Sequence, residues 1–207
     1  MRREIVELTL LPAIPSSLLI EEAMRLLKHF TPTSIEHALQ TTKLGIALFD
    51  GLCEFLAVEK SLEEEIICAS LLHDIGTSIA EEDHNKISRN LILEHFTLAE
   101  MPLRKRIALI ARYHRKSLPK PTHKDFQELS PVDKRVVLCG LSTLRIADGL
   151  DRSHRSAVMW LQVKSFADRL QINIQTDHSA EAEINAALKK SDGMQKFLDK
   201  KVLILSD

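Results

Sequence analysis

SLEEEIICASLLHDIG, residues 61–76, reads as a helix with one apolar stripe that ends on two residues of the kind that bind metals. Positions i, i+3, i+4 and i+7 share a helical face, so Leu62, Ile66 and Ala69 form an inward line that His73 continues. Asp74 follows at once, and Gly76 is a natural stop. Ser61 and Glu64 have the capping-box spacing that opens such a helix. The same arrangement recurs twice. The stretch from Leu103 runs through Ile107 and Ile110 to His114, and the stretch from Val132 runs through Val137, Leu141 and Leu144 to Asp148. In the long segment after Thr33, His37 shares its face with Leu44 and Leu48.

A single polar residue on a core-facing stripe is ordinarily a satisfied hydrogen-bonding group. Four helices that each bring His or Asp inward require more. A buried carboxylate is strongly unfavourable unless it is paired or holds a metal, and a divalent cation resolves that for both Asp74 and Asp148. Mixed imidazole and carboxylate donors fit one or two ions drawn from Mn, Fe, Mg, Zn, Ni and Co rather than calcium.

The chain has 207 residues, enough to bury roughly 70% of its unfolded surface. Lys and Arg total 28 against 29 Asp and Glu, so the balance does not advertise nucleic acid as a partner. Cys53, Cys68 and Cys139 are odd in number and sit in apolar runs, as free thiols of a reducing compartment do. The start, MRREIVELTLLPAIPSS, has no signal-peptide pattern, and no apolar run approaches the ~18 residues of a membrane span. The expectation is a cytoplasmic protein without a membrane partner.

Residues 1–15 read as an N-terminal arm, with a short strand or extended piece over 4–10. Ser16 and Ser17 open a helix to about His29, and Thr33 with Glu36 caps a long one to about Leu56. Further helices are expected from about His84 to Phe96, from Pro102 to Arg115, and from Pro131 to at least Asp148. SLPKPTHKDFQELSP, residues 117–131, reads as a loop. The character changes near residue 158. VMWLQVKSFADRLQINIQT alternates apolar and polar residues on either side of Phe166–Arg169, as a hairpin does. A helix over Ser179–Lys190, a turn at Asp192 and Gly193, a short helix and a strand in KKVLILSD complete a β-β-α-β unit. The fold class is therefore mainly α, with helical residues 1–158 and a small α+β unit over 159–207. Apolar stretches in that unit suit a homodimer as well as a core.

His37, the pair in LLHDIG, and Asp148 in LRIADGLDRSH together resemble the H…HD…D signature of the HD superfamily of metal-dependent phosphohydrolases, which implies an HD-domain helical bundle. ARYHRK (111–116) and LRIADGLDRSH (144–154) resemble more specifically the C-terminal HD domain of the exopolyphosphatase/guanosine pentaphosphate phosphohydrolase (Ppx/GppA) family. The likeness runs from about Thr33 to the end of the chain. These residues contain nothing like the actin-like domains in which that family binds phosphate, so exopolyphosphatase activity does not simply carry over. A second departure is DHNKIS (83–88), which stands where the family has GHHKHS.

The resemblance implies hydrolysis of a phosphate ester or phosphoanhydride in a nucleotide or polyphosphate-like molecule by metal-activated water. His37, His73, Asp74 and Asp148 are the expected ligands of a first ion, with Asp74 bridging to a second. His84 and His114 are expected on that second ion or on substrate phosphate. Catalytic assistance is expected from Asp74, Lys86, Lys116 and Arg145, the last one helical turn before Asp148. Arg115, Arg152 and His154 are expected substrate contacts, and Asp151 is an acceptor for a ligating imidazole or for Arg152. The competing reading is a regulatory module that binds a nucleotide or polyphosphate without turning it over, and a third is a purely structural metal site.

Overall fold

Helix α3 (Leu62–Leu72) is central, which is why it is apolar nearly all round: Leu62 and every residue from Glu65 to Leu72 is buried. The computed structural model describes residues 10–31, 35–56 and 58–206. Of the arm expected over residues 1–15, with its strand or extended piece over 4–10, residues 1–9 lie outside the described residues, as does the Thr33 cap. Around α3 pack α1 (Leu18–Phe30), α2 (Ile35–Leu56), α5 (Met101–Arg112) and α7 (Pro131–Gly149). Glu65 is tolerated in this core because Arg106 grips it in a two-bond fork, Nε to Oε2 at 2.9 Å and Nη2 to Oε1 at 2.7 Å.

Local signals explain two of the helix starts. Ser17 caps α1 by accepting from Ile20 N at 3.2 Å, and Ser130 caps α7 by accepting from Asp133 N at 3.0 Å, with Pro131 in the first turn. Ser61 behaves otherwise than expected. Its backbone is already helical, its hydroxyl donates to Glu59 Oε2 at 3.2 Å, and Glu64 receives the Ser17 hydroxyl instead. A long-range donor, Ser17, has taken Glu64 from the local capping box. α5 stops at Arg112, short of the expected Arg115, so His114 lies in the turn beyond it. The proline-rich stretch after it is not all loop, since Lys124–Gln127 forms the short helix α6, whose Phe126 is buried.

A short 3-10 helix (Ile75–Ser78) follows α3 and leads to α4 (His84–His95). Gly76 is required there: a Cβ would stand 2.3 Å from His84 O and 2.6 Å from Ser88 N. Its own N–H donates to Ser88 Oγ at 2.9 Å, which fastens the end of α3 to the start of α4.

The C-terminal part holds β1 (Val158–Ser165), β2 (Arg169–Thr176), α8 (Glu181–Lys190), α9 (Asp192–Leu198) and β3 (Lys201–Ser206). β1 and β2 pair antiparallel, with Leu161 opposite Ile174 and Val163 opposite Ile172; β2 and β3 pair parallel, with Ile172 opposite Ile204. Asp192 and Gly193 open α9 rather than forming a turn, and Ser191 is the junction. The sheet turns Leu161, Leu170, Ile172, Ile174, Val202 and Ile204 onto Leu44, Leu48 and Leu52 of α2 and Ile146 and Ala147 of α7, in one shared apolar cluster. α8 packs so closely on α7 that a Cβ on Gly149 would stand 2.5 Å from Ala187 Cα. Cys53, Cys68 and Cys139 are free thiols, and among the described residues no helix is long and apolar enough to cross a membrane.

Candidate metal centre

Each helix delivers its polar residue to one point. α2 brings His37, the end of α3 brings His73 and Asp74, the start of α4 brings His84, the turn after α5 brings His114, and α7 brings Asp148. All four imidazoles are buried, from 0% exposed at His73 to 5% at His37 and His84. Asp74 lies at the middle. Its Oδ1 is 3.1 Å from His84 Nε2 and 3.4 Å from His114 Nε2, and its Oδ2 is 3.4 Å from His73 Nε2 and 4.0 Å from His37 Nε2. Asp148 Oδ1 lies 3.5 Å from His37 Nε2.

The tautomers decide what these contacts mean. His73 Nδ1 faces Ser70 O at 2.7 Å, His84 Nδ1 faces Glu81 O at 2.8 Å, and His114 Nδ1 faces Ala111 O at 2.7 Å. In all three the carbonyl three residues earlier can only accept, so Nδ1 carries the proton. The neutral ring then turns a bare Nε2 lone pair inward. His37 is held likewise, with Nδ1 2.8 Å from Asp151 Oδ2. Lone pairs therefore meet lone pairs: His84 Nε2 and His114 Nε2 face each other at 3.4 Å. His37 Nε2, His73 Nε2 and Asp74 Oδ1 are buried without a hydrogen-bond partner among the described residues. Only positive charge relieves such an arrangement.

The charges respond accordingly. Burial works against a charged His37 ring, but the Asp148 carboxylate facing Nε2, the hydrogen bond to Asp151 and the charge of Asp74 outweigh it and raise its pKa to about 9. Burial also opposes an ionised Asp74, yet His73, His84 and His114 hold its carboxyl well below the usual range. Asp148 is held low in the same way, by His37 and Lys190 against the cost of burial. His114 goes the other way: burial, aided by the neighbouring His73, pushes it down to about 3 and keeps its lone pair available.

The donors fall into overlapping sets close enough to hold a metal ion: His37, His73 and Asp74; His73, His114 and Asp148; and Asp74, His84 and His114. Asp74 belongs to the first and the last, so the structure brings together all six expected ligands, with the expected bridging residue shared. Asp74, His84, His114 and Asp148 of the cluster line a cleft of about 730 Å³ together with Arg115, Lys116, Arg152 and His154. His154 stacks on His37 with centroids 3.9 Å apart and rings 5° from parallel, on a backbone of positive φ (56°). Arg115 Nη1 lies against His84, 2.9 and 3.2 Å from its two ring nitrogens.

Two expected catalytic cations are placed elsewhere. Arg145 is buried and its guanidinium bonds Tyr113 O at 3.1 Å, Lys116 O and Lys190 O at 3.2 Å, and Asp192 Oδ1 at 2.8 Å. Three residues before Asp148 is a rotation of about 60° around the helix, enough to send a long side chain past the cleft. Lys86 pairs with Asp83 Oδ2 at 3.0 Å on the surface, and Lys116, although it lines the cleft, pairs with Asp83 Oδ1 at 2.8 Å. Sequence reasoning missed Lys190, whose Nζ pairs with Asp148 Oδ2, and its neighbour Lys189, which lines the same cleft. Consecutive lysines ending a helix resemble any solvated helix end, so nothing in the sequence pointed to them.

These features define a helical protein with a buried cluster of imidazoles and carboxylates that could hold metal ions, open to a basic cleft. The family model described as Ppx/GppA phosphatase, domain III, matches residues 21–196, and the chain belongs to that family. Among curated proteins none matches the chain.

Proposed function

We propose that the protein is a metal-dependent phosphohydrolase of the HD type, acting on a phosphate ester or phosphoanhydride of a nucleotide or polyphosphate-like molecule. The observation that carries this reading is the convergence of four buried imidazole Nε2 atoms and two carboxylates on one point, each ring held from behind at Nδ1. His37, His73, Asp74 and Asp148 would hold one divalent ion, and His84 and His114, sharing Asp74, a second. Such an ion supplies acidified water and neutralises phosphoryl charge. The rest of the work belongs to the chain. Asp151 and the carbonyls of Ser70, Glu81 and Ala111 fix each ring with its lone pair inward. Arg115, Lys116, Arg152, Lys189 and Lys190 outnumber the cleft's acids Asp74, Glu81 and Asp148, two of which belong to the ligand cluster, so the open space favours an anion. His154 lines the same space.

Elemental analysis of the purified protein followed by a panel of nucleotides and phosphate esters tests the proposal. The expected result is bound transition metal and a turnover that His73→Ala and Asp74→Ala abolish while the circular dichroism spectrum is unchanged. Equal phosphate release by wild type and both variants would remove the enzyme reading. Metal and nucleotide binding without turnover would leave a regulatory module.

A further inference from the structure

Lys190 is the last residue of α8, and its ammonium rests on Asp148 Oδ2 while Asp148 Oδ1 faces His37 Nε2 at 3.5 Å. The pair sits at the cleft's edge: the Lys190 side chain is 24% exposed and that of Asp148 12%. The backbone beneath it is fixed, since Lys190 O accepts from Arg145 Nε at 3.2 Å and Gly149 leaves no clearance to Ala187. Only the four-carbon stem is left to move, and it moves over a cleft also lined by Arg115, Lys116 and Arg152.

We propose that Lys190 is a tethered counter-cation of the metal centre, resting on Asp148 until a dication takes that carboxylate and then turning into the cleft to contact a substrate oxyanion. The inference rests on the metal reading above. An ammonium and a dication sharing one partly buried carboxylate are like charges in poorly screened surroundings, so Lys190 opposes metal binding while it stays on Asp148. A phosphoryl oxygen in the cleft offers the ammonium another partner. By linkage, metal and anion then strengthen each other's binding through this one side chain.

Calorimetric binding of Mn²⁺ and of Zn²⁺, each with and without inorganic phosphate, separates the outcomes for wild type, Lys190→Met and Lys190→Arg. Without phosphate, Lys190→Met is expected to bind metal about tenfold tighter than wild type, because the opposing charge is gone. It is also expected to lose most of the enhancement that phosphate confers on wild type. Lys190→Arg keeps the charge and stays near wild type in metal binding. Metal binding by Lys190→Met that equals or falls below wild type overturns the proposal and makes the lysine an orienting group for Asp148. Failure of wild type to bind either ion removes the metal reading and this proposal together.

Discussion

His37 Nδ1 donates to Asp151 Oδ2 at 2.8 Å, and the other oxygen of that carboxylate accepts from Ser156 N at 2.8 Å. One buried aspartate therefore sets the orientation of a candidate ligand and pins the turn that stacks His154 on the same ring. Asp151→Asn should lower metal affinity about 10- to 100-fold, the usual effect of losing a carboxylate behind a ligating imidazole. Calorimetry on the variant checks this, with the thermal unfolding midpoint as a control for the turn.

The metal-free protein should become less stable as the solution turns alkaline. His37 binds its proton more tightly in the folded chain, with a pKa of about 9 against an ordinary 6.5. That contribution is fully present below the unfolded value and is lost as pH rises through the folded one; His84, also raised, acts in the same direction. The expected loss is on the order of 3 kcal/mol between the two values. Urea unfolding in chelator at pH 6.5 and pH 9 measures it. Metal affinity should rise over the same window, because binding must displace the proton.

Arg145→Met should act on the fold rather than on the chemistry. The substitution strands the carbonyls of Tyr113, Lys116 and Lys190, which Arg145 now satisfies, and is expected to cost about 2–4 kcal/mol. Denaturant unfolding reads that loss directly. A drop in kcat in a variant of undiminished stability would restore Arg145 to the chemistry.

Gly149→Ala tests how the C-terminal part is seated. The added methyl meets Ala187 Cα at 2.5 Å, backbone rather than a movable side-chain end, so α8 must shift away from α7. A destabilisation of about 1–3 kcal/mol is expected. Exchange of the α8 amide hydrogens should quicken while those of α3 remain protected.

The clustered histidines and aspartates were legible in the sequence because a helical stripe is a local, periodic signal. His73, His114 and Asp148 each extend a line of apolar residues, and a line that faces the core must carry its polar member there. The hairpin was equally legible from its alternation. Errors fell where a long-range partner overrode a local rule. Ser17 took Glu64 from the Ser61 box, and Tyr113, Lys116, Lys190 and Asp192 took Arg145 from the cleft.

The sequence by itself determined which residues turn inward, since periodicity and burial follow from neighbours along one helix. Only the tertiary structure decided which nitrogen of each ring points to the centre: the Ser70, Glu81 and Ala111 carbonyls lie three residues before their rings, but the side-chain rotation that meets them is set by packing, and Asp151 reaches His37 from the far end of the chain. It alone also placed α8 against α7, and with it Lys190 on Asp148, because the packing of two surfaces depends on shape and on groups more than forty residues apart in the chain.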